Sequence, residues 1–211
     1  MKKRKITSVF LALGLFASLL FQVPISAEEA DQSAAVEASG TISTNSISGW
    51  PQASDNSSEA AVVMENTTNT ILYSKNADEV LFPGSTVKIM TCLLALENTQ
   101  LTDEVTMTAT GVSGVTDGGA SISSQVDEVF TVEQCLYAIM VASANDIALQ
   151  IAEHVGGSVD GFVQQMNTRA QELGCTNTVF TNPTGLPDDN QHTTAHDMAL
   201  IMQAAIQNES F

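Results

Sequence analysis

Apolar positions recur along the chain with two periods, and the change from one to the other divides it. Ala60–Glu65 (AAVVME) and Thr70–Ser74 (TILYS) are short runs rich in aliphatic and β-branched residues, separated by Asn66-Thr67-Thr68-Asn69. They predict a β-hairpin, with Asn69 able to take the left-handed backbone that such turns demand. A hairpin alone is marginal in water, so both strands need a partner surface. From Thr86 the period lengthens to that of a helix. Thr86–Glu97 carries apolar residues at Val87, Ile89, Met90, Leu93, Leu94 and Leu96, a pattern of burial on almost every side. Thr131 and Gln134 predict a capping box ahead of a helix that runs to about Ala142. Asn145–Val155 predicts another, stopped by Gly156-Gly157, and Val159–Leu173 a third, stopped by Gly174. Thr194 with Asp197 boxes the start of a last helix that reaches about Gln207. The stretch Asp103–Glu128, rich in Gly, Ser and Thr, reads as irregular or short-stranded. Two strands do not make a sheet domain. The pattern therefore leaves two architectures: a helical body with a hairpin attached, or an α+β fold whose remaining strands lie beyond the C-terminus.

The first 27 residues stand apart. A basic run, Lys2 to Lys5, precedes a 13-residue apolar stretch from Val9 to Phe21, and Ile25-Ser26-Ala27 offers a cleavage site before Glu28. About 20 apolar residues are needed to span a bilayer, so the segment reads as a secretory signal and the protein as extracytoplasmic. Residues 28–49, dominated by Ser, Ala, Thr and acids with neither period, read as a flexible leader. Residues 50–211 form the predicted folded body.

Removing the signal changes the charge picture. It holds four of the seven basic residues, leaving Lys75, Lys88 and Arg169 against all 24 acidic ones. A surface that acidic repels phosphate backbones and anionic headgroups, which excludes nucleic acid as a partner. Cys92, Cys135 and Cys175 are an odd number in an exported chain, which argues against a disulfide framework. Cys92 and Cys135 fall in apolar helical patterns, where a buried thiol is the ordinary state. No Cys/His spacing resembles a zinc site, and His154, His192 and His196 are scattered, so neither metal nor cofactor is expected.

Chemistry concentrates at Pro83-Gly84-Ser85-Thr86-Val87-Lys88. Pro and Gly break the chain just before the most apolar helix, setting Ser85 in its first turn. Ser85 and Lys88, three apart, share one helical face. A serine hydroxyl is a weak nucleophile until a base takes its proton, and a lysine in apolar surroundings sheds its charge readily enough to be that base. The bland alternative is a capping serine and a lysine that snorkels to solvent. Ser143-Ala144-Asn145, in the break between two helices, is a second candidate. Ser143 can relay a proton and Asn145 can hold Lys88 or a substrate amide, although both residue types also suit a helix N-cap. Asn182-Pro183-Thr184-Gly185 reads as a turn first and a constraint near the cleft second. His192, His196 and Asp197 invite a Ser-His-Asp triad, but capping is the better use for a His-Asp pair opening a helix.

Taken in order, AAVVMENTTNTILYSKNADEVLFPGSTVKIMT, SANDIALQIAEHVGG, FVQQMN and ELGCTNTVFTNPTGLPDDNQHTTAHDMA resemble the serine-type D-alanyl-D-alanine carboxypeptidases, the low-molecular-mass penicillin-binding proteins. The resemblance runs from Trp50 to Gln207. It implies an α+β, β-lactamase/transpeptidase-like fold, an antiparallel sheet flanked by a mostly helical domain. It also implies Ser85 as acylated nucleophile, Lys88 as its base, and Ser143 and Asn145 as the second catalytic element. The implied partners are a peptidoglycan stem peptide ending in D-Ala-D-Ala and, as inhibitors, β-lactams, with no cofactor. The family's K-T-G strand has no counterpart in these 211 residues, so the resemblance implies a front portion with an incomplete sheet. Two other functions compete. A class A-type β-lactamase would need an E-x-x-L-N pattern, which is absent. A non-catalytic wall-associated remnant is the other.

Overall fold

The computed structural model describes residues 42–44, 53–113 and 119–211. The signal segment lies outside them, as does the 28–49 leader apart from three residues. Those three correct the expectation: Ile42–Thr44 is a strand, β1. It pairs antiparallel with β3 (Ile71–Lys75), which pairs on its other side with β2 (Ala61–Met64), giving the order β1-β3-β2. The predicted hairpin is therefore present, and β1 supplies part of the cover it needs. At the turn Asn69 is left-handed, with φ 57°. Its backbone N–H donates to the Glu65 carbonyl at 3.0 Å. The fold is α+β, with a helical body against a small antiparallel sheet.

Helix α1 (Lys88–Asn98) runs through the middle of the body. Its sequence is apolar nearly all round because two cores meet on it. Val87, Met90, Leu93 and Leu94 join Phe162, Met166, Phe180 and Ile201 in one. Cys92 and Ala95 join Val105, Cys135, Ile139, Ile147 and Ile151 in the other. Burying each large side chain of this kind is worth about 1.5–3 kcal/mol, so α1 is fixed from both sides. All three cysteines are buried free thiols.

The remaining elements follow the sequence closely. The capping box of Thr131 and Gln134 starts α3 (Val132–Ala142). Helices α4 (Asn145–Gly156) and α5 (Val159–Glu172) end at the expected glycines. The irregular stretch before α3 contains β4 (Glu104–Thr106) and a short helix α2 (Ala109–Ser113). Strand β4 pairs with β5 (Val129–Thr131), which merges into the cap and gave no separate signal. Helix α6 (Ala195–Ala205) begins at Thr194 as expected, but Asp197 does not complete a box. Its buried carboxylate instead accepts from the N–H of Asn177 at 2.8 Å and the hydroxyl of Thr178 at 2.7 Å. It fastens the strand-like segment after α5 onto α6.

Candidate active site

Three irregular segments meet at the N-terminal end of α1. The first is Gly84–Val87, which forms a turn of 3₁₀ helix and flows into α1 at Lys88. Ser85 thus lies just ahead of the α-helix rather than in its first turn. The difference matters, because a 3₁₀ turn eclipses side chains three residues apart. Ser85 and Lys88 stand one above the other, with Nζ 3.4 Å from Oγ. Gly84 has φ +55°, a backbone that glycine adopts without strain. Ser85 is exposed, whereas Lys88 beneath it is only 3% exposed. The lysine does not snorkel. Desolvation drives its pKa down from 10.5 to about 8, opposed by the neighbouring Cys92. The Cys92 thiol is itself pushed up to about 12 by burial.

The second segment is the α3–α4 break. Ser143 closes α3 in the left-handed conformation, φ 54° and ψ 31°, and its hydroxyl donates to Ser85 Oγ at 3.2 Å. The N-cap of α4 is Ala144, which makes no side-chain cap bond. Neither Ser143 nor Asn145 therefore acts as the cap that their residue types suggested. A left-handed non-glycine residue costs about 1–3 kcal/mol and persists only where its surroundings hold it. Asn145 is 4% exposed, and its Oδ1 is buried with no hydrogen-bond partner among the described residues. An unmet buried acceptor costs about 1–3 kcal/mol and calls for an explanation. Its backbone is fixed by an N–H bond to the Ala120 carbonyl at 2.8 Å. Asp146 beside it grips the same segment, accepting from Ser121 Oγ at 2.7 Å and Ser124 Oγ at 2.8 Å. Burial pushes the Asp146 pKa upward, but these donors together outweigh it and hold the carboxyl below its ordinary value.

The third segment, Asn182–Leu186, is closer to the centre than its sequence suggested. Lys88 Nζ donates to the Thr184 carbonyl, and Thr91 Oγ1, one turn along α1, donates to the Pro183 carbonyl at 2.7 Å. Gly185, at φ +80°, lies so close that a Cβ there would sit 1.9 Å from the Gly84 carbonyl oxygen. Sequence signals for this role were weak, since the lysine's partner is a main-chain oxygen that any residue provides.

The other titratable candidates are engaged elsewhere. His192 Nδ1 is 3.0 Å from the Asn190 carbonyl, and His196 Nδ1 is 3.1 Å from Asp78. With Asp197 bound to the segment after α5, no triad is built on Ser85. Lys75 is buried and paired with Asp55 at 2.9 Å, and Arg169 donates three hydrogen bonds to Glu97, the closest at 2.7 Å.

This arrangement can be set beside known proteins. A family model described as D-alanyl-D-alanine carboxypeptidase matches residues 48–211. The chain is 38% identical over 157 residues to the D-alanyl-D-alanine carboxypeptidase DacF of Bacillus subtilis, covering 72% of this chain and 40% of that protein. Among solved structures, the D-alanyl-D-alanine carboxypeptidase DacD from Francisella tularensis matches with a TM-score of 0.71 and 31% identity, over 79% of this chain and 41% of that one. Penicillin binding protein 5 from Haemophilus influenzae matches with a TM-score of 0.66 and 32% identity, over 70% and 44%. The chain thus spans about two fifths of the length of several curated relatives that it matches. With a match through nearly all of the described residues, in sequence and in fold, the chain belongs to the D-alanyl-D-alanine carboxypeptidase family.

Proposed function

We propose that this chain carries the nucleophilic half of a serine acyl-transfer site that removes the terminal D-alanine from peptidoglycan stem peptides. The observation that carries the proposal is the position of Ser85 Oγ, 3.4 Å from the Lys88 amine and 3.2 Å from the Ser143 hydroxyl. A proton acceptor and a proton relay flank one exposed hydroxyl.

Lys88, as the neutral amine, takes the Ser85 proton while Oγ bonds to the carbonyl carbon of the penultimate D-alanine. The proton then passes from Lys88 through Ser143 to the leaving nitrogen. The C–N bond breaks, D-alanine departs, and an ester remains on Ser85. Water hydrolyses that ester with Lys88 again accepting a proton. Asn145 Oδ1, buried and without a hydrogen-bond partner among the described residues, takes an N–H of the bound peptide. The reaction uses side chains alone and needs no cofactor. β-Lactams acylate the same serine. The basic and apolar N-terminal run supports work outside the cytoplasm, where the stem peptide is found.

The test is covalent labelling of the full gene product by a fluorescent penicillin. The native protein is expected to become labelled, and Ser85→Ala to lose all label while keeping its far-ultraviolet circular dichroism. Label that persists in the folded Ser85→Ala protein would remove the assignment.

A further inference from the structure

The Asn182–Leu186 turn grips α1 at two successive carbonyls, and its own shape depends on one side chain. Asn182 Oδ1 accepts three bonds: from the Thr184 N–H at 3.1 Å, the Thr184 hydroxyl at 2.8 Å and the Gly185 N–H at 2.8 Å. Its Nδ2 donates to the Leu186 carbonyl at 3.0 Å, closing the turn from the other side. Gln191 backs it, accepting from the Asn182 N–H at 3.2 Å and donating to the same Leu186 carbonyl at 3.2 Å. Pro183, Thr184 and Gly185 are buried, so donors released there would have no water to turn to.

We infer that Asn182 is a positioning residue for the Ser85 chemistry: it fixes the turn so that the Thr184 carbonyl holds Lys88 with its lone pair toward Ser85. This rests on the proposed role of Ser85 and Lys88 and adds a residue to it. The logic is one of valence. A neutral amine has two N–H donors and a single lone pair. With one N–H committed to Thr184, and the stem fixed by α1, the lone pair has few directions left. The docking is rigid because Lys88 and Thr91 receive adjacent carbonyls from adjacent turns of one helix, while Gly185 abuts Gly84. The turn also keeps Lys88 dry. Among the described residues the other hydrogen-bond partner of Lys88 is the hydroxyl of Ser85, with Ser143 beyond it, and the Cys92 thiol acts on it from one turn along α1, all uncharged at neutral pH. Removing the Asn182 side chain strands three donors. The turn then rearranges and water reaches Lys88, and relief of the desolvation that dominates its environment outweighs the lost carbonyl acceptor and restores the charged form.

The experiment compares Asn182→Ala with Asn167→Ala in the full gene product. Asn167 performs a similar service nearby, bonding the Phe180 N–H and carbonyl, each at 2.8 Å, but has no link to Lys88. The readout is the rate of acylation by a fluorescent penicillin as a function of pH. Asn182→Ala is expected to slow acylation at pH 7 by at least about tenfold and to move the rising limb upward by about one pH unit. Asn167→Ala is expected to lower the melting temperature and leave the limb unmoved. If Asn182→Ala does not fold, Asn182→Ser, whose shorter side chain reaches fewer donors, gives a smaller shift in the same direction. An unmoved limb and undiminished rate in the Asn182 variant that folds would overturn the inference while leaving Ser85 as the labelled residue. Failure of the native protein to label at all would instead overturn the reading on which it rests.

Discussion

The body around Phe162 and the meeting point of the three segments at Ser85 obey different rules. In the body, helix starts carry their caps: Thr131, Ser158 and Thr194 each accept from a backbone N–H, and α4 and α5 stop at Gly157 and Gly174. Apolar side chains fill the space between elements, and buried polar ones such as Lys75 and Asp197 are paired, the first with a carboxylate and the second with N–H and hydroxyl donors. At the meeting point those preferences are reversed. A lysine is buried, a serine is left-handed, an asparagine has an unmet acceptor, and α4 begins on an uncapped alanine. The left-handed serine and the unmet acceptor each cost about 1–3 kcal/mol, and a marginally stable fold retains such costs only where the surroundings impose them. Left-handed residues also occur at turns such as Asn69 and Asp127, but among the described residues only at this meeting point does one stand beside a buried lysine and an unmet acceptor, and the regular body holds the three together.

That division can be broken from either side. The largest stability effect belongs to the body. Phe162→Ala empties a fully buried position and is expected to cost about 3–5 kcal/mol, yet leave the acylation rate per folded molecule unchanged. Denaturant melts combined with penicillin labelling measure both, and a rate that fell with stability would erase the distinction. A pair of glycines sharpens it. Gly185 and Gly174 have similar backbones, φ +80° and φ +87°, but a Cβ meets the Gly84 carbonyl at the first and open space at the second. Gly185→Ala is expected to cost at least about 2 kcal/mol and most of the activity, and Gly174→Ala about 1 kcal/mol and none of it. Equal loss of acylation in both would contradict the docking of the turn on Ser85. The smallest effect has the opposite sign. Ser143→Gly releases the left-handed strain and is expected to raise stability by up to about 1 kcal/mol while slowing acylation by about 100-fold or more. A variant both stabler and fully active would remove Ser143 from the relay.

The sequence carried much of this, and the limits have a physical cause. The approach of Lys88 to Ser85 was legible because their spacing is local and because one lysine interrupts an otherwise apolar helix. The capping box at Thr131 and the stop at Gly174 were legible for the same reason. What was hidden is what the chain assembles from far apart. The acceptor for Lys88 is a carbonyl 96 residues downstream. Asp197 looked like half of a local box because its distant partners, Asn177 and Thr178, cannot be inferred from spacing. Ile42–Thr44, three residues in a polar stretch, owes its strand to the edge of β3 rather than to its own pattern. Ser143 and Asn145 had the composition of caps, and only the geometry of the break distinguishes a cap from a residue held against another helix.

The central claim is that Lys88 gives up its proton near neutrality because it is buried. Its folded pKa of about 8 lies below the ordinary 10.5, so the unfolded chain binds the proton more tightly. This group's contribution to stability is therefore lowest below about pH 8 and grows as pH rises toward 10.5. In the proposed mechanism the same titration governs reactivity, since only a neutral amine can accept the Ser85 proton. The most direct test is the rate of Ser85 acylation by a fluorescent penicillin from pH 6 to 10. The account predicts a rate that climbs to a plateau with a midpoint near 8, and that vanishes in Lys88→Ala. A rate indifferent to pH across that range, or one that climbs only near 10.5 as for a solvated lysine, would contradict it.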